Sequence, residues 1–460
     1  MATAITAPTY DPIPTATSLA DKYIAARQQI LNTQSASATA AEKGLTDLNS
    51  ALSAFQTSLS TLTGLNKTMY ARAATFSDTA IGSATASSTA AAGTYSFFVE
   101  KLAAASQVSY AGLVNATDVS GKLGIELGGN LAFEVNLGAS ARSLTPRELA
   151  AAINGAEGNG GKVTASVVSI ASGASELVLT AKDTGEASAI TLNLANLSGP
   201  ASLTGALDAG RARTVVQAQD AVIHVGGEGG TAIKQASNTF NAIEGVKMIF
   251  TKAQSSGAAP VTLTVGPDDK GTTANVQGFV DAFNKLKTAL NKLTASGDPA
   301  KGVGGGAFAN DAGIRSLNDR LNALLRPTNG ESLASFGIIA TRSGTLELNT
   351  SRLLSQLSLK PEGLDALIGS ATATASTGIA GALDSYLKGW SNSVDGQIKQ
   401  RREQNSSVQL RLSDRQASLD GQHEAAYQRY LRQFTQLQTM QGAMNQNVSL
   451  FDALFGNDKN

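Results

Sequence analysis

The chain has 460 residues, 42% of them hydrophobic and 5% aromatic, with 36 basic and 36 acidic side chains and no cysteine. Zero net charge argues against nucleic acid as a partner, because that affinity rests on neutralising phosphates; the missing thiols exclude disulfides and thiolate metal sites. No window approaches about 18 consecutive apolar residues, so no membrane insertion is expected, and the opening MATAITAPTYDPIPTATSLADKY lacks the basic and apolar regions of a cleavable secretory signal.

The first strong pattern is GLTDLNSALSAFQTSLSTLTGLNKTM. Leu45, Leu48, Leu52, Phe55, Leu59, Leu62 and Met69 follow alternating steps of three and four, with Asn66 as the polar member. That spacing predicts a helix carrying a coiled-coil seam. From about 85 to 270 the period changes to two: Tyr95, Phe97 and Val99; Leu131, Phe133, Val135 and Leu137; Val163, Ala165 and Val167; Leu177 and Leu179; Ile190, Leu192 and Leu194; Ala221, Ile223 and Val225; Val261, Leu263 and Val265. These read as half-buried strands separated by breaks such as NGAEGNGG and VGGEGG. One short helix interrupts them, TPRELAAAI, with Thr145 as N-cap and Pro146 at its first position.

A second seam follows in ANVQGFVDAFNKLKTALNKL, through Val276, Phe279, Phe283, Leu286, Leu290 and Leu293. Ile314, Leu317, Leu321 and Leu324 mark another helix, FGIIATRSGTLEL a hairpin turning at Gly344, and LKPEGLDALIG a short helix. In the C-terminal helix Val408, Leu412, Leu419 and Ala426 make a sparse stripe. Its phase slips by one residue before a second stripe of Tyr430, Phe434, Leu437, Met444, Val448, Phe451 and Phe455, interrupted by Gln441. The slip reads as a local change of winding.

The expected fold class is therefore α+β and multidomain, with terminal helices forming coiled-coil legs and β-rich head domains inserted between them. The expected division is 1–40 and 400–460 as a terminal, partly disordered or coiled-coil segment; 41–84 and 272–399 as a helical leg; 85–115 and 215–271 as a proximal head domain; and 116–214 as a distal one. Large apolar stripes on terminal helices call for partners. The assembly interface is expected at Leu45, Leu48, Leu52, Phe55, Leu59, Leu62, Tyr430, Phe434, Leu437, Gln441, Met444, Val448, Phe451 and Phe455.

Enzymatic chemistry finds no foothold. The two histidines, His224 and His423, sit in no zinc-peptidase motif, and neither a phosphate-binding GxxxxGK[ST] loop nor a nucleophile elbow is present. GVGGGA at 302–307 has no strand leading into it and reads as a flexible loop. Asp268 and Asp269 in VGPDDKGTT lack the spacing of an EF-hand and read as a solvated turn. Lys399, Arg401, Arg402, Arg411, Arg415, Arg429 and Arg432 alternate with acids along the C-terminal helix, as on a solvated face. No cofactor and no metal are expected.

Several blocks, in order, resemble the flagellar filament cap (hook-associated protein 2) family: GLTDLNSALSAFQTSLSTL, TASSTAAAGTYSFFVEKLAAASQVSY, QDAVIHVGGEGG with SNTFNAIEGVKMIF, FVDAFNKLKTALNKL, and YQRYLRQFTQLQTMQGAMN. Residues 149–185 are also similar to the Ile-Asn module shared by flagellins and hook-associated proteins. The sequence departs from the family in its prolines Pro8, Pro12 and Pro14, where a Gly-rich opening is frequent, and in Phe283, where Tyr is common.

The resemblance implies a non-enzymatic protein at the distal tip of the flagellum, outside the cell. It implies a ring-like homo-oligomer, commonly a pentamer, under which flagellin emerges, folds and is inserted. It also implies passage through the flagellar type III export apparatus and an export chaperone that holds the C-terminus. Alternatives are another axial protein (hook–filament junction protein or flagellin) and a secreted adhesin with its head on a helical stalk.

Overall fold

The computed structural model describes residues 11–65, 67–171, 174–327, 331–371 and 376–455, of which 170, 171, 174, 299, 452 and 455 by backbone alone. Asn66, and the outermost parts of the predicted terminal segment (1–10 and 456–460), lie outside the described residues. The helices are α1 (Pro12–Thr63), α2 (Pro146–Asn154), α3 (Ala201–Thr204), α4 (Asp269–Thr294), α5 (Ala312–Leu324), α6 (Thr350–Leu359), α7 (Gly363–Ile368), α8 (Gly378–Ser391) and α9 (Gln397–Phe455). With strands concentrated between α1 and α4, the fold is α+β, as the change of period predicts. The chain forms two compact units, 1–69 with 273–460 and 70–272. The strands Arg72–Phe76 and Gly82–Ala86 thus fall in the β-rich unit, whereas the division expected from sequence puts the leg's boundary at 84, beyond the first strand and within the second.

In the helical unit, α1 starts at an Asp11 N-cap whose carboxylate accepts from the Ile13 N–H at 3.1 Å, with Pro12 at the first position. Pro costs nothing there, since that N–H has no helical acceptor. The helix then runs unbroken for 52 residues. Its inner face repeats every seven residues: Ile24, Leu31, Ala38, Leu45, Leu52 and Leu59, half-buried at Ile24 and buried thereafter. The seam read from Leu45 onward is the lower part of this longer row. Residues 12–40, expected as a partly disordered or coiled-coil segment, are helical throughout; their inner positions include Ala16 and Ala20, which carry little periodic signal although both are fully buried.

The lower part of α1 packs in a core with α4. Val276, Phe279, Phe283, Leu286, Leu290 and Leu293 are all buried. Phe55 meets Phe283 edge to face, with ring centroids 6.1 Å apart at 72°. Each such side chain contributes roughly 1.5–3 kcal/mol on burial. Gly44 has no side chain for a steric reason: a Cβ there would lie 2.8 Å from the Phe308 ring. The predicted hairpin forms between Ile338–Ala340 and Leu346–Leu348, turning through Gly344 at φ +78°. Asn284 of α4 holds it by accepting from Leu346 N–H at 2.7 Å and donating to Leu346 C=O at 2.8 Å.

The β-rich unit has two cores. The first gathers residues from Ala74–Ala103 and Ala221–Val265 around Phe76, Phe97, Phe240 and Phe250. Its five-stranded sheet runs Arg72–Phe76, Val261–Pro267, Gly93–Lys101, Ala221–Val225, Thr231–Gln235, with antiparallel neighbours throughout. A three-stranded sheet, Thr239–Ile243, Val246–Phe250 and Gly82–Ala86, shares that core. The second core runs from Val108 to Leu207.

Most alternating positions point inward as predicted. Leu131 does not: it is 58% exposed, because the ladder between Ala116–Leu127 and Asn130–Asn136 skips a residue between Ile125↔Phe133 and Glu126↔Leu131. One extra residue reverses the face that follows it. Val225 is also exposed, at the strand's end beside a turn.

The predicted cap of α2 is present as a full capping box between Thr145 and Glu148. The Glu148 carboxyl is held below its ordinary pKa by the Thr145 backbone and hydroxyl donors. The Ile-Asn pair after it has a clear structural role. Ile153 is fully buried, and Asn154 exchanges two 2.8 Å bonds with the backbone of Ala165, fixing the helix to the next strand. Asn159, 1% exposed, accepts from Val163 N–H and donates to the carbonyls of Ile153 and Val163, so the tight loop's backbone is satisfied without water.

Candidate assembly surface

Helices α1 and α9 lie antiparallel. Asp21 faces His423 at 2.8 Å, Gln28 and Gln416 exchange amide bonds at 2.8 and 3.2 Å, and Asn405 donates to the Ala38 carbonyl at 3.0 Å. Arg27 meets Gln422, and Arg402 reaches Thr46 at 2.7 Å and Glu42 at 3.4 Å. The apolar part of this contact is thin: Ile24, Leu31, Ala38, Leu412 and Leu419, with Ala16, Ala20 and Ala426 buried nearer the distal end. Small residues let the backbones approach, and paired amides take the place of a dense leucine seam.

At its base α9 is held more firmly. Arg401 forms a two-pronged ion pair with Asp311, at 2.5 and 3.3 Å, and lies 5.6 Å from the Trp390 ring. Asp311 also caps α5 by accepting from Ile314 N–H. Burial pushes its carboxyl up, but the Arg401 bonds, the Ile314 N–H and the Arg401 charge outweigh that and leave its pKa below the ordinary value. Nearby in the same unit, Lys287 is 1% exposed and donates to Asn318 Oδ1 at 2.6 Å; burial lowers its pKa.

The residues expected at the assembly interface separate into two groups. Leu45, Leu48, Leu52, Phe55 and Leu59 are at most 2% exposed and Leu62 is half-buried, so these side chains are used inside the chain's own helical core. Of the C-terminal set, Tyr430, Phe434 and Gln441 are half-buried. Leu437, Met444, Val448 and Phe451 are exposed by 42, 65, 42 and 64%. The Phe455 side chain lies outside the described residues.

Sequence periodicity missed part of this surface. Met440, Leu450 and Leu454 are 61–69% exposed and lie off the 3-4 seam. The signal available was composition: from Gln433 to Phe455 the only charged residue is Asp452.

The register explains where exposure begins. Asp21 lies opposite His423 and Gln28 opposite Gln416, so the same spacing brings Pro12 beside Arg432. Beyond Arg432, α9 continues to Phe455, past the described end of α1. At ~1.5 Å per residue this is about 35 Å of helix.

The other candidate motifs have structural roles. Asp268 accepts from Gly271 N–H at 2.8 Å at the entry to α4. The glycine run 302–306 folds back on the end of α4, where a Cβ on Gly306 would come within 2.3 Å of the Leu293 carbonyl. Among the described residues no three His, Asp or Glu side chains are gathered to hold a metal ion, and no helix is long and apolar enough to cross a membrane.

Paired terminal helices ending in an exposed apolar stretch, with a β-rich unit inserted between them in the sequence and no gathered metal-ligand cluster among the described residues, fit an assembly protein. Comparison with known proteins identifies which one. The sequence models for the flagellar hook-associated protein 2 N-terminus and C-terminus match residues 15–106 and 218–446. The stretch between them, 107–217, holds the second β core. The chain is 31% identical over 382 residues to the lateral flagellar hook-associated protein 2 of Vibrio parahaemolyticus, covering 80% of this chain and 82% of that one. It is 30% identical over 445 residues to the B-type flagellar hook-associated protein 2 of Pseudomonas aeruginosa, covering 91% and 90%. The crystal structure of the D1-D2-D3 domains of the flagellar cap protein FliD from Escherichia coli superposes with a TM-score of 0.61 at 27% identity, over 78% of this chain and 99% of that one. The chain belongs to the flagellar hook-associated protein 2 family and is a structural protein of the flagellar filament cap.

Proposed function

We propose that the chain caps the distal end of the flagellar filament outside the cell as a ring-like homo-oligomer of five copies. In this reading it shelters exported flagellin while each subunit folds, promotes its insertion and prevents its loss to the medium. No catalytic step is involved. The chain itself leaves through the flagellar type III export apparatus, its C-terminus held until then by a chaperone.

The observation that carries this reading is the exposed apolar end of α9. Leu437, Met440, Met444 and Val448 stand in solvent on a helix that is nearly uncharged from Gln433 onward. A stretch of this kind needs partners. Methionine repacks against surfaces of different shape, which suits contacts with flagellin and neighbouring copies that must be remade as each subunit enters.

Cells lacking their own cap protein provide the test. Supplying this chain together with its matching flagellin should restore long filaments and remove monomeric flagellin from the medium; continued loss of flagellin would overturn the reading. Mass measurement and electron microscopy of the purified protein should show closed rings, whereas straight filaments would point to flagellin-like assembly. Gln441, half-buried in the exposed stripe, offers a finer probe. A polar residue in a seam favours register at a cost in stability. Gln441→Leu should therefore tighten assembly and slow filament elongation, measured by fluorescent labelling of successive growth; an unchanged rate would count against a role in remaking contacts.

A further inference from the structure

The turn that joins strands Ala221–Val225 and Thr231–Gln235 is built around His224. Its Nε2 lies 2.8 Å from Glu100 Oε2 and its Nδ1 lies 3.0 Å from the Gly230 carbonyl. An ionised carboxylate and a backbone carbonyl can only accept hydrogen bonds. A neutral imidazole has one N–H and one lone pair, so it can satisfy one of these partners and must turn a lone pair toward the other. Only the doubly protonated ring satisfies both. The side chain is 14% exposed, so water has limited room to repair the lost bond.

The turn in turn holds a second loop. Glu228, between the two strands, accepts from Ser256 Oγ at 2.5 Å and from the Gly257 N–H at 2.7 Å. That loop is tied to the sheet at its start, where Gln254 exchanges bonds with the Val99 backbone at 2.8 and 3.0 Å. Glu100 and Val99 belong to the same strand, Gly93–Lys101, which lies next to His224's strand. A chain of contacts therefore runs from Glu100 through His224 and Gly230 to Glu228 and the 255–257 loop.

We propose that His224 is a proton-operated latch in the β-rich unit: protonated, it clamps the 226–230 turn to Glu100 and, through Glu228, orders the 255–257 loop; deprotonated, it releases one end of the clamp.

The charged groups around the ring are Glu100 and Lys101 from the neighbouring strand and Glu228 from the turn; Lys101 Nζ is 3.5 Å from Glu100 Oε1. Phe98 presents its ring edge-on at 6.3 Å. The Glu100 hydrogen bond raises the His224 pKa, with help from the Gly230 carbonyl and against burial. The His224 bond likewise lowers that of Glu100. The sign of the linkage follows. A histidine whose folded pKa is raised stabilises the fold fully below its unfolded pKa of about 6.5, and that contribution disappears as pH rises through the folded pKa. Release therefore comes with alkalinisation. At the acid end the clamp lasts until Glu100 protonates, below about 4.5.

The full chain with nitrogen-labelled histidine is suited to the test, because it has only two histidines. His224→Gln assigns the His224 signals. NMR titration should give a His224 midpoint above about 6.5, with both ring nitrogens protonated below it. Glu100→Gln, which keeps an acceptor but removes the charge, should move the midpoint back toward that value. Hydrogen exchange at Gly230 and Gly257, corrected for the intrinsic pH dependence, should become several-fold faster above the midpoint in the parent chain. That step should vanish in His224→Gln. A midpoint at or below 6.5, or exchange that stays level across the midpoint, would overturn the latch. If His224→Gln fails to fold, the parent titration and Glu100→Gln still decide the matter.

Discussion

Ending the chain at Arg432 is expected to abolish capping without weakening either folded unit. The removed residues, 433–455 and the last five, follow the point where Pro12 meets α9, and Leu437, Met440, Met444, Val448, Leu450 and Leu454 there are 42–69% exposed. Removing exposed side chains gives up little buried area, so the unfolding free energy should change by no more than about 0.5 kcal/mol, the range of surface changes, and the thermal midpoint should move little. Flagellin should then appear as monomer in the medium, and filaments should be short or absent. Full-length filaments from the truncated chain would show that the segment is dispensable. A fall in thermal stability would show that it packs within the chain. The half-buried Phe434 sits just beyond the cut and sets the small loss that is expected.

Replacing Phe283 by Ala should have the opposite character, a large loss of stability at a position remote from solvent. The ring is fully buried in α4 and meets Phe55 edge to face. Its removal deletes apolar contact and leaves a cavity that α1 and α4 cannot close, costing about 3–5 kcal/mol. Urea unfolding monitored by circular dichroism should show the midpoint fall with little change of slope. Leu437→Ser is the control, because the same measurement should hardly respond to an exposed position. A Phe283→Ala loss below about 1 kcal/mol would mean that this core can collapse around the gap.

Much of the helical unit was legible because its heptads are regular. The stripes through Leu45–Leu59 and Val276–Leu293 lie buried where a 3-4 alternation puts them. The same logic failed for residues 12–40. There the inner face mixes Ile24 and Leu31 with Ala16, Ala20 and Ala38, which pack by being small and so dilute the hydrophobic period. Leu131 shows the equivalent limit in the strands, since a one-residue skip in the ladder turns an inward position outward.

The candidate site was legible as a list but not as a surface. Both ends of the chain carry stripes of similar strength, and the sequence leaves open whether each packs within the chain or against another subunit. The structure gives them different fates. Leu45–Leu59 are covered by the chain's own helices, whereas Leu437–Val448 stay in solvent.

The sequence by itself determined the α+β division, the heptad faces, the cap of α2, the hairpin at Gly344 and the absence of thiol chemistry. Each follows from local spacing or residue type. What only the tertiary structure decided is which stripes find a partner within the chain. The one-residue slip between Ala426 and Tyr430 was readable as a change of winding. Its meaning came from register: upstream, Leu412, Leu419 and Ala426 are buried in the helical unit, and by Arg432 the described length of α1 has ended. A stripe's period states that it can be buried; the length and placement of the opposing helix decide whether it is.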